Sequence, residues 1–284
     1  MGWKKTTLYA VVGIIVLLTV IAVLRPPGIT QAIAPPAGED KPAGADKPVG
    51  GEDEPGGEEP AGEEERETPA KPGDGNGGTT RPDGDGRQVV TNPDSILVLV
   101  NKERNLPADY VPADLTVPAV PFPFDGDNPK KQLRREAAAA LEELFAASRE
   151  AGLELYALSG YRSYATQKAI FENKAKLRGE AEANKTSARP GQSEHQTGLA
   201  MDVTCRQVNF ALEAEFGATP EGKWLAANAH KFGFIIRYRQ GTEEITGYVY
   251  EPWHLRYLGK ETAADVYAQG VTLEEYFGGE DEIK

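Results

Sequence analysis

Cysteine is nearly absent: the 284 residues hold one, Cys205. That excludes an internal disulfide framework and any Cys-rich zinc finger. Histidine is almost as scarce, with only His195, His230 and His254, so every His-based site can be enumerated. Basic charge is in deficit, with 31 Lys and Arg against 44 Asp and Glu and a net of -13. A basic face able to displace counterions from a phosphate backbone is therefore not expected, and no nucleic-acid partner with it. None of the serines is followed three residues later by lysine, which removes the Ser-x-x-Lys nucleophile motif. Aromatic residues are missing altogether from residues 26–87, where 11 Pro and 14 Gly stand instead.

Apolar runs are also rare, and one stands out. Residues 8–24, LYAVVGIIVLLTVIAVL, carry no charge. At 1.5 Å per residue they would span about 26 Å as a helix, just enough for a bilayer core. Lys4 and Lys5 precede the run, so residues 1–7 are expected in the cytoplasm and the rest outside. A cleaved signal peptide is the rival, because Ala32 and Ala34 form an A-x-A pattern. Pro35 and Pro36 directly after that pattern favour an uncleaved signal anchor instead. The expected location is the bacterial cell membrane, single-pass, with the bulk of the chain extracytoplasmic.

Residues 25–87 read as a disordered Pro/Gly/acidic tether. Over residues 35–87 there are 15 acidic and 6 basic residues. Such a segment cannot bury enough apolar surface to offset its chain entropy. A flexible chain of this length spans about 45 Å r.m.s..

Residues 88–284 are long enough for one core. Apolar spacing predicts helices over 132–151, 163–177, 221–231 and 261–269. Strands are expected at 153–158, 199–204, 234–237 and 247–250. Helices and strands mix without βαβ alternation, so the fold class is α+β with a small antiparallel sheet flanked by helices.

Two of the three histidines lie in short stretches rich in acidic groups, SEHQTGLAMD (193–202) and EPWH (251–254). A hydrolytic zinc wants three N or O ligands and one open position. His195, Asp202 and His254 would supply that set, on or beside the sheet. Glu251 lies three residues before His254, within reach of a water on such a metal, where it could act as general base. Pro252 restricts Glu251 to extended conformations. A lone Glu-x-x-His is common, whereas the two strings together are specific. His230, at the end of an amphipathic helix, reads as a surface or hydrogen-bonded residue. Cys205 follows Asp202 by three, faces away from the metal by strand alternation, and reads as a buried free thiol.

The S-x-H-x-x-G-x-A-x-D string and E-x-W-H resemble the zinc D-alanyl-D-alanine carboxypeptidases of the VanY type, which share a fold with the hedgehog signalling domain. LVNKERNLPADYVPADL (99–115), LSGYRSYATQ (158–167), FGFIIRY (232–238) and GYVYEPWHLRYLG (247–259) are similar to that family's blocks, and the resemblance covers roughly residues 95–270. It implies one Zn2+ per chain on His195, Asp202 and His254, Glu251 as base, and peptidoglycan stem peptides as partners. It assigns Arg162, Gln167, Ser193 and Tyr238 to substrate binding. For Arg162 the physical reason is direct, since a guanidinium fork holds a terminal carboxylate bidentately. Trp253 is as easily a packing wall as a substrate contact.

The expectation is thus a zinc carboxypeptidase domain over 88–284, releasing C-terminal D-alanine from D-alanyl-D-alanine ends. Rivals are an L,D-carboxypeptidase on tetrapeptides, an endopeptidase of the same fold, and a zinc-stabilised wall-binding module without activity. Retention of Glu251 argues against the last. D,D- or L,D-specificity and oligomeric state are left open by the sequence.

Overall fold

The computed structural model describes residues 77–278. The apolar run at 8–24 and residues 25–76 of the expected tether lie outside them. Among the described residues no helix is long and apolar enough to cross a membrane.

The chain enters through β1 (Thr80–Pro82), β2 (Gln88–Val90) and β3 (Arg104–Asn105). β1 and β2 form an antiparallel hairpin, and β3 adds to β2 in parallel. Asp83 closes the hairpin: its Oδ1 accepts from the backbone N–H groups of Asp85 and Arg87, each at 2.9 Å. This corrects the tether's expected end at residue 87, because residues 80–82 are paired strand. Averaged composition concealed a turn whose donors one aspartate satisfies.

β4 (Leu115–Thr116) and β5 (Leu133–Arg134) pair next and lead into α1 (Arg135–Glu150). Ala137, Ala138, Leu141, Leu144 and Phe145 are buried along α1, the three-to-four spacing that makes one apolar stripe. Then come β6 (Tyr156–Ser159), α2 (Tyr164–Arg178), α3 (Glu180–Thr186) and β7 (Ala200–Thr204). Ser163 caps α2 by accepting from the Thr166 N–H at 3.2 Å. They are followed by α4 (Pro220–Asn228), β8 (Phe234–Tyr238), α5 (Glu243–Thr246), β9 (Glu251–Tyr257), α6 (Lys260–Gln269) and α7 (Leu273–Gly278).

The main sheet is antiparallel with order β6-β7-β9-β8. Helices and sheet thus mix as the sequence predicts. One strand is displaced: residues 247–250 are not a strand, and β9 begins where that expectation ended. Register aligns Asp202 with His254, Met201 with Leu255 and Ala200 with Arg256. Alternation sends Met201, Val203 and Leu255 into a core shared with Leu141, Phe145 and Leu225. The opposite face receives Asp202, His254 and Arg256. One face of the sheet is hydrophobic and the other carries the charges.

Candidate metal centre and active site

Asp202 and His254 stand side by side on β7 and β9 because they are a cross-strand pair. His195 comes from a short 3-10 turn, Glu194–Thr197, that ends on Gly198. Gly198 has φ 67°, and a Cβ there would sit 2.9 Å from Leu115 Cδ2. Only glycine turns the chain from His195 into β7 at that spot. The three side chains meet: one ligand atom from each lies within 4.8 Å of the others. His195 Nε2 is 3.4 Å from Asp202 Oδ2, and His254 Nδ1 is 3.1 Å from Asp202 Oδ1.

The outward nitrogens decide what those atoms can do. His195 Nδ1 donates to the Gly160 carbonyl at 2.9 Å, and His254 Nε2 donates to Glu194 Oε2 at 3.1 Å. His195 Nε2 then turns a lone pair toward Asp202 Oδ2, while His254 Nδ1 shares one proton with Asp202 Oδ1 at 3.1 Å. Burial draws the His195 pKa down to about 3, which keeps that ring neutral. Burial also opposes charge on His254, but hydrogen bonds to Asp202 and Glu194 outweigh it and raise its pKa to about 9. The cluster therefore calls for one positive charge among its three ligands. A divalent metal fits that call and would displace the proton.

Glu251, at the start of β9, has Oε2 3.9 Å from His254 Nδ1. Burial lifts its carboxyl to about 7, Asp202 adding to the shift and His254 opposing it. A carboxylate with that affinity for a proton suits a general base near neutral pH.

Behind His254 lies a group that sequence reasoning missed. Glu194 is fully buried; its Oε1 accepts from Arg237 Nε at 2.8 Å and from Arg256 Nη1 at 2.9 Å. Arg237 in turn makes two bonds to Glu274 of α7, at 2.9 and 2.6 Å. Arg256 donates to the carbonyls of Ile96 and Val98 at 3.0 and 2.7 Å. Burial works against the charge on Glu194, but Arg237 and Arg256 overcome it and hold its carboxyl well below the usual range. The available signal was a single arginine inside each of two apolar strands, FIIRY and HLRYL.

The remaining expected residues divide. Arg162, Ser193 and Tyr238 line the same pocket as the metal ligands and Glu251. Arg162 is oriented by Gln167 Oε1 and Ser159 Oγ, both at 2.9 Å. Gln167, expected to touch substrate, is not on the pocket wall. It is buried behind Arg162, with its amide nitrogen donating to the Ala188 carbonyl at 2.5 Å, so its observed contacts position the fork. Tyr238 packs against the His254 ring with centroids 5.0 Å apart. Trp253 lines the pocket and also packs on the core. His230 lies away from the site, stacked on Tyr267 at 3.7 Å. Cys205 is buried with a free thiol, as its strand position predicts.

The family described as VanY, D-alanyl-D-alanine carboxypeptidase, matches residues 130–260. YodJ of Bacillus subtilis (strain 168) is 52% identical over 193 residues, 68% of this chain and 71% of that protein. Among solved structures, the LdcB LD-carboxypeptidase superposes with a TM-score of 0.69 at 50% identity, covering 71% of this chain and 94% of that one. A vancomycin resistance D,D-pentapeptidase VanY mutant in complex with Zn(II) gives a TM-score of 0.53 at 34% identity, covering 64% and 98%.

Proposed function

The chain belongs to the VanY family of carboxypeptidases, and on that premise we propose that it is a zinc-dependent enzyme releasing C-terminal D-alanine from peptidoglycan stem peptides. The observation that carries this reading is the pairing of a convergent His195–Asp202–His254 set with a high-affinity base, Glu251, in one pocket with Arg162. His195, Asp202 and His254 would hold the metal. Zinc bound there supplies Lewis-acid polarisation of the scissile carbonyl and lowers the pKa of a water.

The protein's own groups do the rest. Arg162, braced by Gln167 and Ser159, takes the substrate's terminal carboxylate. Ser193 and Tyr238 line the path of the last residues. Glu251 removes a proton from the attacking water and delivers one to the amine as the C–N bond breaks, so D-alanine leaves neutralised at nitrogen. The Tyr238 and Tyr248 rings and Trp253 wall the pocket and limit water to the reacting side.

Release from D-alanyl-D-alanine ends is the first reading. The stronger likeness to an LD-carboxypeptidase than to the D,D-pentapeptidase favours a second, release of D-alanine from tetrapeptides. Incubating the zinc-loaded protein with matched penta- and tetrapeptides and measuring free D-alanine decides between them. No D-alanine from either, with zinc bound, overturns the whole proposal. The apolar run at 8–24 supports a membrane-anchored enzyme acting outside the cytoplasmic membrane. Recovery of mature protein beginning at Pro35 in the soluble fraction would contradict the anchor.

A further inference from the structure

The pocket in front of the three ligands has a volume of about 420 Å3. One wall is a face of α2, where Ile170, Lys174 and Arg178 recur every fourth residue and so share one side of the helix. Neither Lys174 nor Arg178 has a carboxylate partner among the described residues. Lys174 Nζ donates to the Thr186 carbonyl at 3.2 Å, which engages one of its three donors. Tyr238, Tyr248 and Trp253 line the pocket without adding a cation. Positive charge therefore falls in two places, the Arg162 fork beside the metal ligands and the Lys174–Arg178 pair along the helix.

One terminal carboxylate uses Arg162; Lys174 also steadies the Glu251 carboxylate, and neither it nor Arg178 is ion-paired among the described residues. Arg178 lies about 6 Å beyond Lys174 along the helix axis, and an extended peptide advances about 3.3 Å per residue. With the terminal carboxylate held at Arg162, a cation further along the pocket would face the acyl side of the scissile bond. Resting on the carboxypeptidase reading above, we propose that Lys174 and Arg178 form a second carboxylate-binding subsite. The enzyme then selects stem peptides with a free acyl-side carboxylate, such as the side-chain carboxylate of diaminopimelate. Peptides with that group amidated, or with a lysine ammonium in its place, are disfavoured by the same two cations.

The test uses the full-length, zinc-loaded chain and two peptides ending in D-alanine that differ only in amidation of the diaminopimelate side-chain carboxylate. Binding is measured by calorimetry and turnover as D-alanine release. The free-carboxylate peptide should be favoured about tenfold in Kd and in kcat/KM, the scale of a partly exposed charge-assisted contact. In K174Q/R178Q the ratio between the two peptides should fall to about one, while K174R/R178K, which keeps both charges, should retain it. Equal binding and turnover by the native chain overturn the subsite, and so does a preference that survives in K174Q/R178Q. If neither peptide yields D-alanine the carboxypeptidase reading fails, and the calorimetric ratio still decides the subsite: tenfold supports it, parity overturns it.

Discussion

The two sides of the His254 ring are built from the same kinds of residue and behave in opposite ways. Behind the ring, Glu194 and Glu274 meet Arg237 and Arg256, two carboxylates against two guanidiniums, and each carboxylate oxygen of Glu194 accepts a hydrogen bond. In front, one nitrogen of each imidazole converges on Asp202, with the Glu251 carboxyl close by. The back is balanced by its own ion pairs, whereas the front is held by a proton shared between His254 and Asp202 that a metal could displace. Buried charge is tolerable when paired and hydrogen-bonded, and expensive when it is not. The front is therefore where a ligand belongs, and the back holds the ring in the orientation that presents its other nitrogen.

Three substitutions break or sharpen that contrast. Glu251→Gln on the front should lower D-alanine release by about 10³-fold, the range of a lost general base, with zinc content unchanged by elemental analysis. Glu194→Gln on the back removes a charge that two buried arginines share, and should cost about 3 kcal/mol of stability. It should also weaken zinc binding by about tenfold or more, read by competition with a chromogenic chelator. Loss of activity with native metal affinity would show that the back does not orient His254. Arg162→Lys keeps the charge and loses the fork, so kcat/KM should fall about ten- to hundredfold. A substrate amidated at its C-terminus should already be poor for the native enzyme and lose little more in that variant.

The smallest effect is one of pH. The Glu251 carboxyl is raised to about 7 in the folded state from about 4.3 when unfolded. A raised acid keeps its proton on folding, so the native state is unaffected below the unfolded value, loses stability as pH rises from there to the folded value, and carries the full penalty above it. In metal-free protein Glu251→Gln should therefore raise stability at pH 8 and leave it unchanged at pH 4. Thermal melts at the two pH values check this.

The front was legible in sequence and the back was not. The three candidate ligands and the candidate base sit within two short strings, and the structure brings all four side chains into one pocket. The hub joins Glu194 to partners 43 and 62 residues away, a separation no local pattern reveals. The same divide runs through the fold. α1 and α2 follow from apolar periodicity and a serine cap. α7 is six residues long and tied to the hub through Glu274, so tertiary contact rather than propensity marks it. The last strand is expected at 247–250, and β9 instead runs through Pro252. In the structure Pro252 falls where the β8–β9 register shifts, and a bulge is a place that tolerates the missing N–H. Gln167 shows a further limit, since sequence can associate a residue with a site without telling whether it faces the cavity or the residue that does.

The reach of Arg256 has a consequence for how the protein comes into being. Its bond to Val98 spans 158 residues, and His254 joins Glu194 across 60. Contacts of such range close large loops and form late in folding. A growing chain that has emerged only through β8 owns two of the three ligands and none of the strand that aligns the third. Its metal-binding power therefore arrives in one step, when β9 zips between its neighbours. Until then the nascent polypeptide is a poor competitor for zinc.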